Sequence, residues 1–216
     1  MKILLTSATL LEIKPLIEKF ELNENTFVKC HQHEVQIFIT GVGIPCSLFH
    51  FCKRLQTIDF DLLVHVGIAG AYHRDLQIGE VVQVTQDCFA DLGIETENGI
   101  ETLNERGLDE KLSFEKNNYM INRNVNVKIC GNLKKVKGAT VNKANCNENS
   151  IHVIRKKYKS DIETMESAIS FYVCGKQGVS FVAIRSISNY VTIRKNAEWN
   201  ISKAVENLVN YCISIV

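Results

Sequence analysis

Short β-branched runs alternate along this chain with stretches that place an apolar residue every three or four positions, and this alternation predicts strands interleaved with helices. Residues 2–6 read as a buried strand, and Leu10, Ile13, Leu16, Ile17 and Phe20 then carry a helical period. Thr9 stands as its N-cap with Glu12 three positions on, the spacing of a capping box. Residues 34–40 alternate and then run apolar, and residues 41–45 (Gly-Val-Gly-Ile-Pro) turn the chain into a helix over 46–55. A strand over 61–66 opens into residues 67–71 (Gly-Ile-Ala-Gly-Ala), which read as a small-residue loop whose amides line a pocket floor. Residues 78–85 read as another strand, whereas 96–124 turn polar and lose their period, as a functional loop or an oligomer contact would.

Further along, residues 125–129 read as an edge strand, and the lysine-rich stretch 134–143 as solvated surface. A helix over 151–158 precedes an acidic turn, residues 163–166 (Glu-Thr-Met-Glu), which opens a helix through Met165, Ala168, Ile169, Tyr172 and Val173. The run 181–187 reads as a strand ending in Ser188 and Asn189, and Ile201, Ala204, Val205, Leu208, Val209 and Cys212 form one face of a terminal helix. This order predicts an α/β fold of three αβα layers around a mostly parallel, mixed central sheet, in one domain over 1–216.

Composition narrows the function classes. With 216 residues, 45% of them apolar, the chain can bury one sizeable core. A formal charge of +1 gives no electrostatic reason to expect nucleic acid or an anionic membrane as partner, which leaves small molecules. Eight cysteines without C-x-x-C spacing, several inside apolar runs, point to a reducing cytoplasm. Residues 1–6 are too short for a signal-peptide core and no apolar run approaches a membrane span, so a cytoplasmic location is expected.

Candidate chemistry gathers where strands meet helices. Glu166 and Asn189 fall near the ends of neighbouring core elements, where open α/β sheets bind ligands. Each has an ordinary alternative: a glutamate suits the positive end of a helix, and an asparagine suits a turn. Glu12 is likewise either a capping residue or a carboxylate pointed into the ligand crevice. Gly41 and Gly43 do not make a dinucleotide fingerprint, because the third glycine is missing.

These residues together resemble a known family. Residues 165–168 (Met-Glu-Ser-Ala), 185–189 (Arg-Ser-Ile-Ser-Asn) and 67–70 (Gly-Ile-Ala-Gly), with Glu12 after the first strand, resemble the nucleoside phosphorylase and nucleosidase superfamily over nearly the whole chain. Residues 67–71, 89–95, 140–142 and 185–191 look most like the futalosine hydrolases, which release hypoxanthine from futalosine in a bacterial route to menaquinone.

The resemblance implies a nucleoside phosphorylase-like fold and hydrolysis of an N-ribosidic bond through a cationic ribosyl centre, in parallel with glycoside hydrolysis. Glu166 would hold the ribose 2′ and 3′ hydroxyls and stabilise the cation. Met165 would pack on the sugar, or serve as a core methionine. Glu12 would be the general base, with Arg185 orienting it or the water, or else forming a buried ion pair. Ala69, Gly70 and Asn142 would complete the substrate contacts. Asn189 stands where methylthioadenosine nucleosidases have aspartate; its NH₂ can donate to N7 and to a 6-oxo group, which favours hypoxanthine. His65 and Ile68 replace the arginine and serine with which phosphorylases hold phosphate, so water is the expected nucleophile. Neither cofactor nor metal is implied, and a homo-oligomer, dimer or larger, is expected. The alternatives are an aminofutalosine or methylthioadenosine nucleosidase, a phosphate-dependent purine nucleoside phosphorylase, or a nucleoside-binding protein that has lost catalysis.

Overall fold

The structure, a computed structural model, describes residues 1–97, 99–109, 118–123, 127–193 and 198–216. Strand β1 (Lys2–Ser7) leads into helix α1 (Leu10–Phe20), and the short β2 (Val28–Cys30) turns into β3 (His33–Ile39) and α2 (Ile44–Leu55). The long β4 (Leu62–Ala71) and β5 (Val81–Asp87) follow, then the hairpin β6 (Gly93–Thr96) and β7 (Gly99–Thr102), β8 (Met120–Ile121) and the helical turn α3 (Val127–Cys130). Strand β9 (Lys134–Thr140), helix α4 (Glu148–Tyr158), strand β10 (Ile162–Thr164), helix α5 (Ser167–Gln177), strand β11 (Phe181–Tyr190) and helix α6 (Ile201–Ile215) complete the chain.

Among the described residues the main sheet runs β10-β9-β5-β11-β4-β1-β3-β2, with β8 paired to β5. The β3–β1–β4–β11 and β5–β9–β10 neighbours are parallel, and β11–β5 is antiparallel, so the sheet is mixed as expected. Strand β10 also pairs antiparallel with β4, which curls β4, β11, β5, β9 and β10 into a closed ring.

Alternation along β4 distributes its side chains to two cores, because successive residues of a strand face opposite sides. Leu62, Val64 and Val66 pack with Ile13 and Leu16 of α1 and with Leu208, Val209 and Cys212 of α6. Leu63, Ala69 and Ala71 pack with Phe51 of α2 and with Ala168, Ile169 and Phe171 of α5. These two clusters make the three layers. All eight cysteines are free, and burial pushes the Cys174 and Cys212 thiols up to about 12.

Three expectations are corrected. Residues 67–71 are the end of β4 rather than a loop, because β11 on one side and β10 on the other supply strand partners through Ala71. The lysine-rich stretch is strand β9, whose exposed Lys134, Lys135 and Lys137 surround buried Val136 and whose Gly138, Ala139 and Thr140 are buried in the ring. Of the expected edge strand over 125–129, residues 125 and 126 lie outside the described residues, and the remainder is helical in α3. The polar excursion 96–124 contains hairpin and strand residues; positions 98, 110–117 and 124 lie outside the description.

Candidate active site

A cavity of about 250 Å³ opens where the carboxyl ends of β4 and β11 meet β10, the amino end of α1 and the α2 turn. Glu12, Ile68, Ala69, Gly70, Met165, Glu166 and Asn189 line it. Two larger depressions, a groove of about 610 Å³ between α1 and α6 and a cleft of about 720 Å³ between the β6–β7 hairpin and α4, contain none of these residues. The smaller cavity is therefore the candidate site.

Glu12 is 7% exposed, and both of its proposed roles are realised at once. Its Oε2 accepts from the Ser7 hydroxyl at 2.7 Å, the Thr9 N–H at 3.0 Å and the Thr9 hydroxyl at 3.1 Å, which ties it to the start of α1. Among the described residues its Oε1 accepts only from the Ile68 N–H, at 3.0 Å, and so keeps a lone pair for a water in the cavity. Gly67 allows this approach: a Cβ there would stand 3.0 Å from Oε1.

Arg185 does not line the cavity. It is 2% exposed and lies behind Glu12, its Nε near the same Gly67. Nη1 donates to the carbonyls of His65 and Ile184 at 2.7 and 2.8 Å, and Nη2 lies 3.1 Å from His65 Nε2. Ser170 gives its proton to the Ser167 carbonyl at 2.9 Å, so the 3.1 Å contact of His65 Nδ1 with Ser170 Oγ is a donation by the ring. Nη2 also lies 3.3 Å from His65 Nδ1, so the guanidinium stands over the imidazole face rather than on the lone pair of either nitrogen. Burial first, and the Arg185 charge second, hold the His65 pKa well below its ordinary value, consistent with a neutral ring. Burial lowers the Arg185 pKa, and Glu12, Glu166 and Asp87 oppose the effect by their charge. His65 thus anchors the guanidinium from inside the core.

Glu166 stands at the N-cap of α5, just outside the helix, and accepts from the Gly43 N–H at 2.7 Å. Burial pushes its pKa up, while that hydrogen bond and the Arg185 charge restrain it. Met165 also precedes the helix and forms part of the cavity wall rather than of the core. Asn189 is 6% exposed and sits past an irregularity in the β11–β4 register between Ile187 and Asn189. The Ser188 hydroxyl lies 2.8 Å from Asn189 Oδ1 and 3.1 Å from the Ala69 carbonyl. The Tyr190 carbonyl, which only accepts, takes one Nδ2 hydrogen at 3.3 Å and so turns Oδ1 toward Ser188, leaving the second Nδ2 hydrogen as the offered donor, and the missing side chain of Gly70 makes room for the amide.

Asn142 is not brought to the cavity. It is exposed on the far side of its loop, its N–H donating to Asp91 Oδ2 at 2.7 Å. Asn145, three residues on, lines the cavity instead, together with Glu163, Ser188 and the exposed Leu11, Val42 and Trp199. Glu163 lies in the acidic turn that the sequence singles out; nothing in the pattern around Asn145 marks it.

The family model for the phosphorylase superfamily matches residues 2–216. A curated relative, the aminodeoxyfutalosine nucleosidase of Campylobacter jejuni, is 28% identical over 204 residues, covering 88% of this chain and 86% of the relative. A futalosine hydrolase mutant of Helicobacter pylori superposes with a TM-score of 0.78 at 20% identity, covering 100% of this chain and 98% of the other. A substituted Helicobacter pylori 5′-methylthioadenosine/S-adenosylhomocysteine nucleosidase with 5′-methylthioadenosine in its active site gives a TM-score of 0.78 at 19% identity, covering 99% and 97%.

Proposed function

Because this chain belongs to the phosphorylase superfamily, we propose that its cavity hydrolyses the N-ribosidic bond of a purine nucleoside, with futalosine as substrate and hypoxanthine as the released base. The observation that carries this reading is the convergence of Glu12, Glu166 and the oriented Asn189 amide on one small cavity. Glu12 takes a proton from the attacking water through its open Oε1 lone pair. Arg185, held by His65, acts from behind as a fixed positive charge that positions Glu12. Glu166 accepts from the ribose hydroxyls and offsets the cationic sugar as the bond to the base lengthens. Asn189 Nδ2 donates to the departing purine at N7 or at a 6-oxo group, and its Oδ1 is occupied by Ser188.

Water rather than phosphate is the nucleophile in this reading, because the buried His65 is turned toward Arg185 and Ile68 carries no polar side chain. Exposed Leu11, Val42 and Trp199 at the cavity mouth support a second copy of the chain closing the site. Among the described residues no helix is long and apolar enough to cross a membrane.

The test is incubation with futalosine, aminodeoxyfutalosine, inosine and methylthioadenosine, with and without phosphate, following the free base by chromatography. Hypoxanthine from futalosine without phosphate is the expected result, and a strict phosphate requirement would overturn the hydrolytic reading. Glu12→Gln keeps an acceptor for the capping bonds but is a far weaker base, so kcat should fall by roughly 10²- to 10⁴-fold with substrate binding retained. The name of the curated relative favours one second reading, adenine release from aminodeoxyfutalosine, and the same chromatogram separates it.

A further inference from the structure

Resting on the nucleosidase reading, we propose that Glu163 sets the base specificity of the cavity by locking the carboxamide of Asn145, so that Asn145 turns its Oδ1 to the purine as an acceptor. Glu163 is buried, and every partner it has among the described residues is a donor. The Asn145 N–H reaches Oε1 at 2.9 Å, and the Asn145 Nδ2 and the Tyr72 hydroxyl reach Oε2, each at 2.6 Å. An ionised carboxylate only accepts. The Asn145 amide must therefore turn its NH₂ toward Glu163, which leaves Oδ1 as its free group in a residue that lines the cavity.

Register places this lock opposite Asn189. Glu163 of β10 and Asn189 of β11 are both paired with Gly70 of β4, one from each side. They are thus separated by two strand spacings, roughly 10 Å between backbones, above a residue with no side chain. Val191 Cγ2 and Asn189 Nδ2 lie over that glycine, where a Cβ would meet them at 2.8 and 3.1 Å, and the base is placed in the cavity that these residues line with Glu163 and Asn145. On the Asn189 side the Tyr190 carbonyl orients a donor; on the Asn145 side Glu163 orients an acceptor. A 6-oxopurine matches this pair, since it carries acceptors at O6 and N7 and a proton on N1. A 6-aminopurine also accepts at N7, and its 6-amino hydrogens suit the Asn145 oxygen. The discrimination therefore rests on N1, whose bare lone pair would repel that oxygen where the N1–H of a 6-oxopurine donates to it.

Glu163→Gln tests the lock with almost no change of shape. A glutamine can donate to Asn145 Oδ1, which frees the Asn145 amide to flip and present NH₂ to the base. The readout is the ratio of kcat/KM for futalosine to that for aminodeoxyfutalosine, two substrates differing at the 6 position, measured on one preparation so that the active fraction cancels. Calorimetric titration with free hypoxanthine and adenine reads the same preference without turnover. In Glu163→Gln and in Asn145→Ala the preference for the 6-oxo partner should fall at least tenfold in both assays. An unchanged ratio in both variants, with wild-type turnover intact, would overturn the lock and leave the nucleosidase reading standing. A ratio that moves in Glu163→Gln alone also overturns it, because the carboxylate would then read the base directly. If the wild-type protein neither cleaves nor binds any of these purines, the nucleosidase reading fails and the lock falls with it.

Discussion

Neighbours that can only donate or only accept fix the chemistry of single residues in this cavity. Asn189 is the clearest case: with one Nδ2 hydrogen on the Tyr190 carbonyl and Oδ1 facing Ser188, its amide is proposed to meet the base as a donor. Asn189→Asp would keep the Ser188 bond and replace that NH₂ with an oxygen that accepts when ionised and gives a proton when protonated. Kinetics on the same futalosine and aminodeoxyfutalosine pair should then shift toward the 6-amino substrate by about tenfold or more, since mismatched buried hydrogen-bonding groups cost on the order of 1–3 kcal/mol. A variant that lost both activities in equal proportion would count against the assigned role. Glu12, Glu166 and Asn189 could be picked out as candidates in the sequence because each stands at a strand or helix end with a motif around it. The resemblance also singled out Arg185, but not its burial behind Glu12. Asn142 was misplaced and Asn145 missed, since both lie in the same polar stretch and only the fold decides which of them faces the cavity. Glu163 lies in the acidic turn that the sequence marks, but the role proposed for it depends on Tyr72 and Asn145, partners 91 and 18 residues away in the chain.

At the scale of elements, the end of β4 does most to place these groups. Its glycines are there for close approach. Gly67→Ala would set a methyl 3.0 Å from Glu12 Oε1 and 3.6 Å from Arg185 Nε, so the carboxylate has to give way by a few tenths of an ångström. Steady-state assays should show kcat reduced tenfold or more, while thermal unfolding moves only a few degrees, the effect of about 1 kcal/mol in a chain of this size. Undiminished kcat would mean that Glu12 does not need its present position. The sequence reads this segment as a loop because small residues in a row carry neither period. Its strand character comes from β10 and β11, which flank it from distant parts of the chain. Strand β9 is the converse. Its lysines and Val136 show the alternation of a strand, but the run of positive charge read as surface. Helices α1, α2, α4 and α6 needed no such partners to be recognised, since their apolar stripes and caps are local.

Closing five strands into a ring has a consequence for the stability of the whole molecule. The end of β5 carries Asp87 into the ring wall, where it is fully buried, accepting from the Cys88 N–H at 2.8 Å and the Thr140 hydroxyl of β9 at 3.0 Å. Burial pushes its pKa from the ordinary 3.8 up to about 6, against the pull of those bonds and of Arg185. A carboxyl raised on folding is neutral in the native state while the unfolded chain has already lost its proton. Its contribution to stability therefore falls as pH rises from about 4 to about 6, and above 6 the folded protein carries a buried charge that costs up to roughly 3 kcal/mol. Below 4 both states are protonated and the effect vanishes. Asp87→Asn retains an acceptor for Cys88 and Thr140 and removes the titration. Melting temperatures of the wild type and the variant should diverge with pH, the variant gaining several degrees on the wild type between pH 5 and pH 7.5. Other titrating groups are common to both proteins and cancel in the difference. Parallel profiles would mean that the Arg185 charge already compensates Asp87 at neutral pH; a widening gap would mean that the ring tolerates an uncompensated carboxylate in its wall.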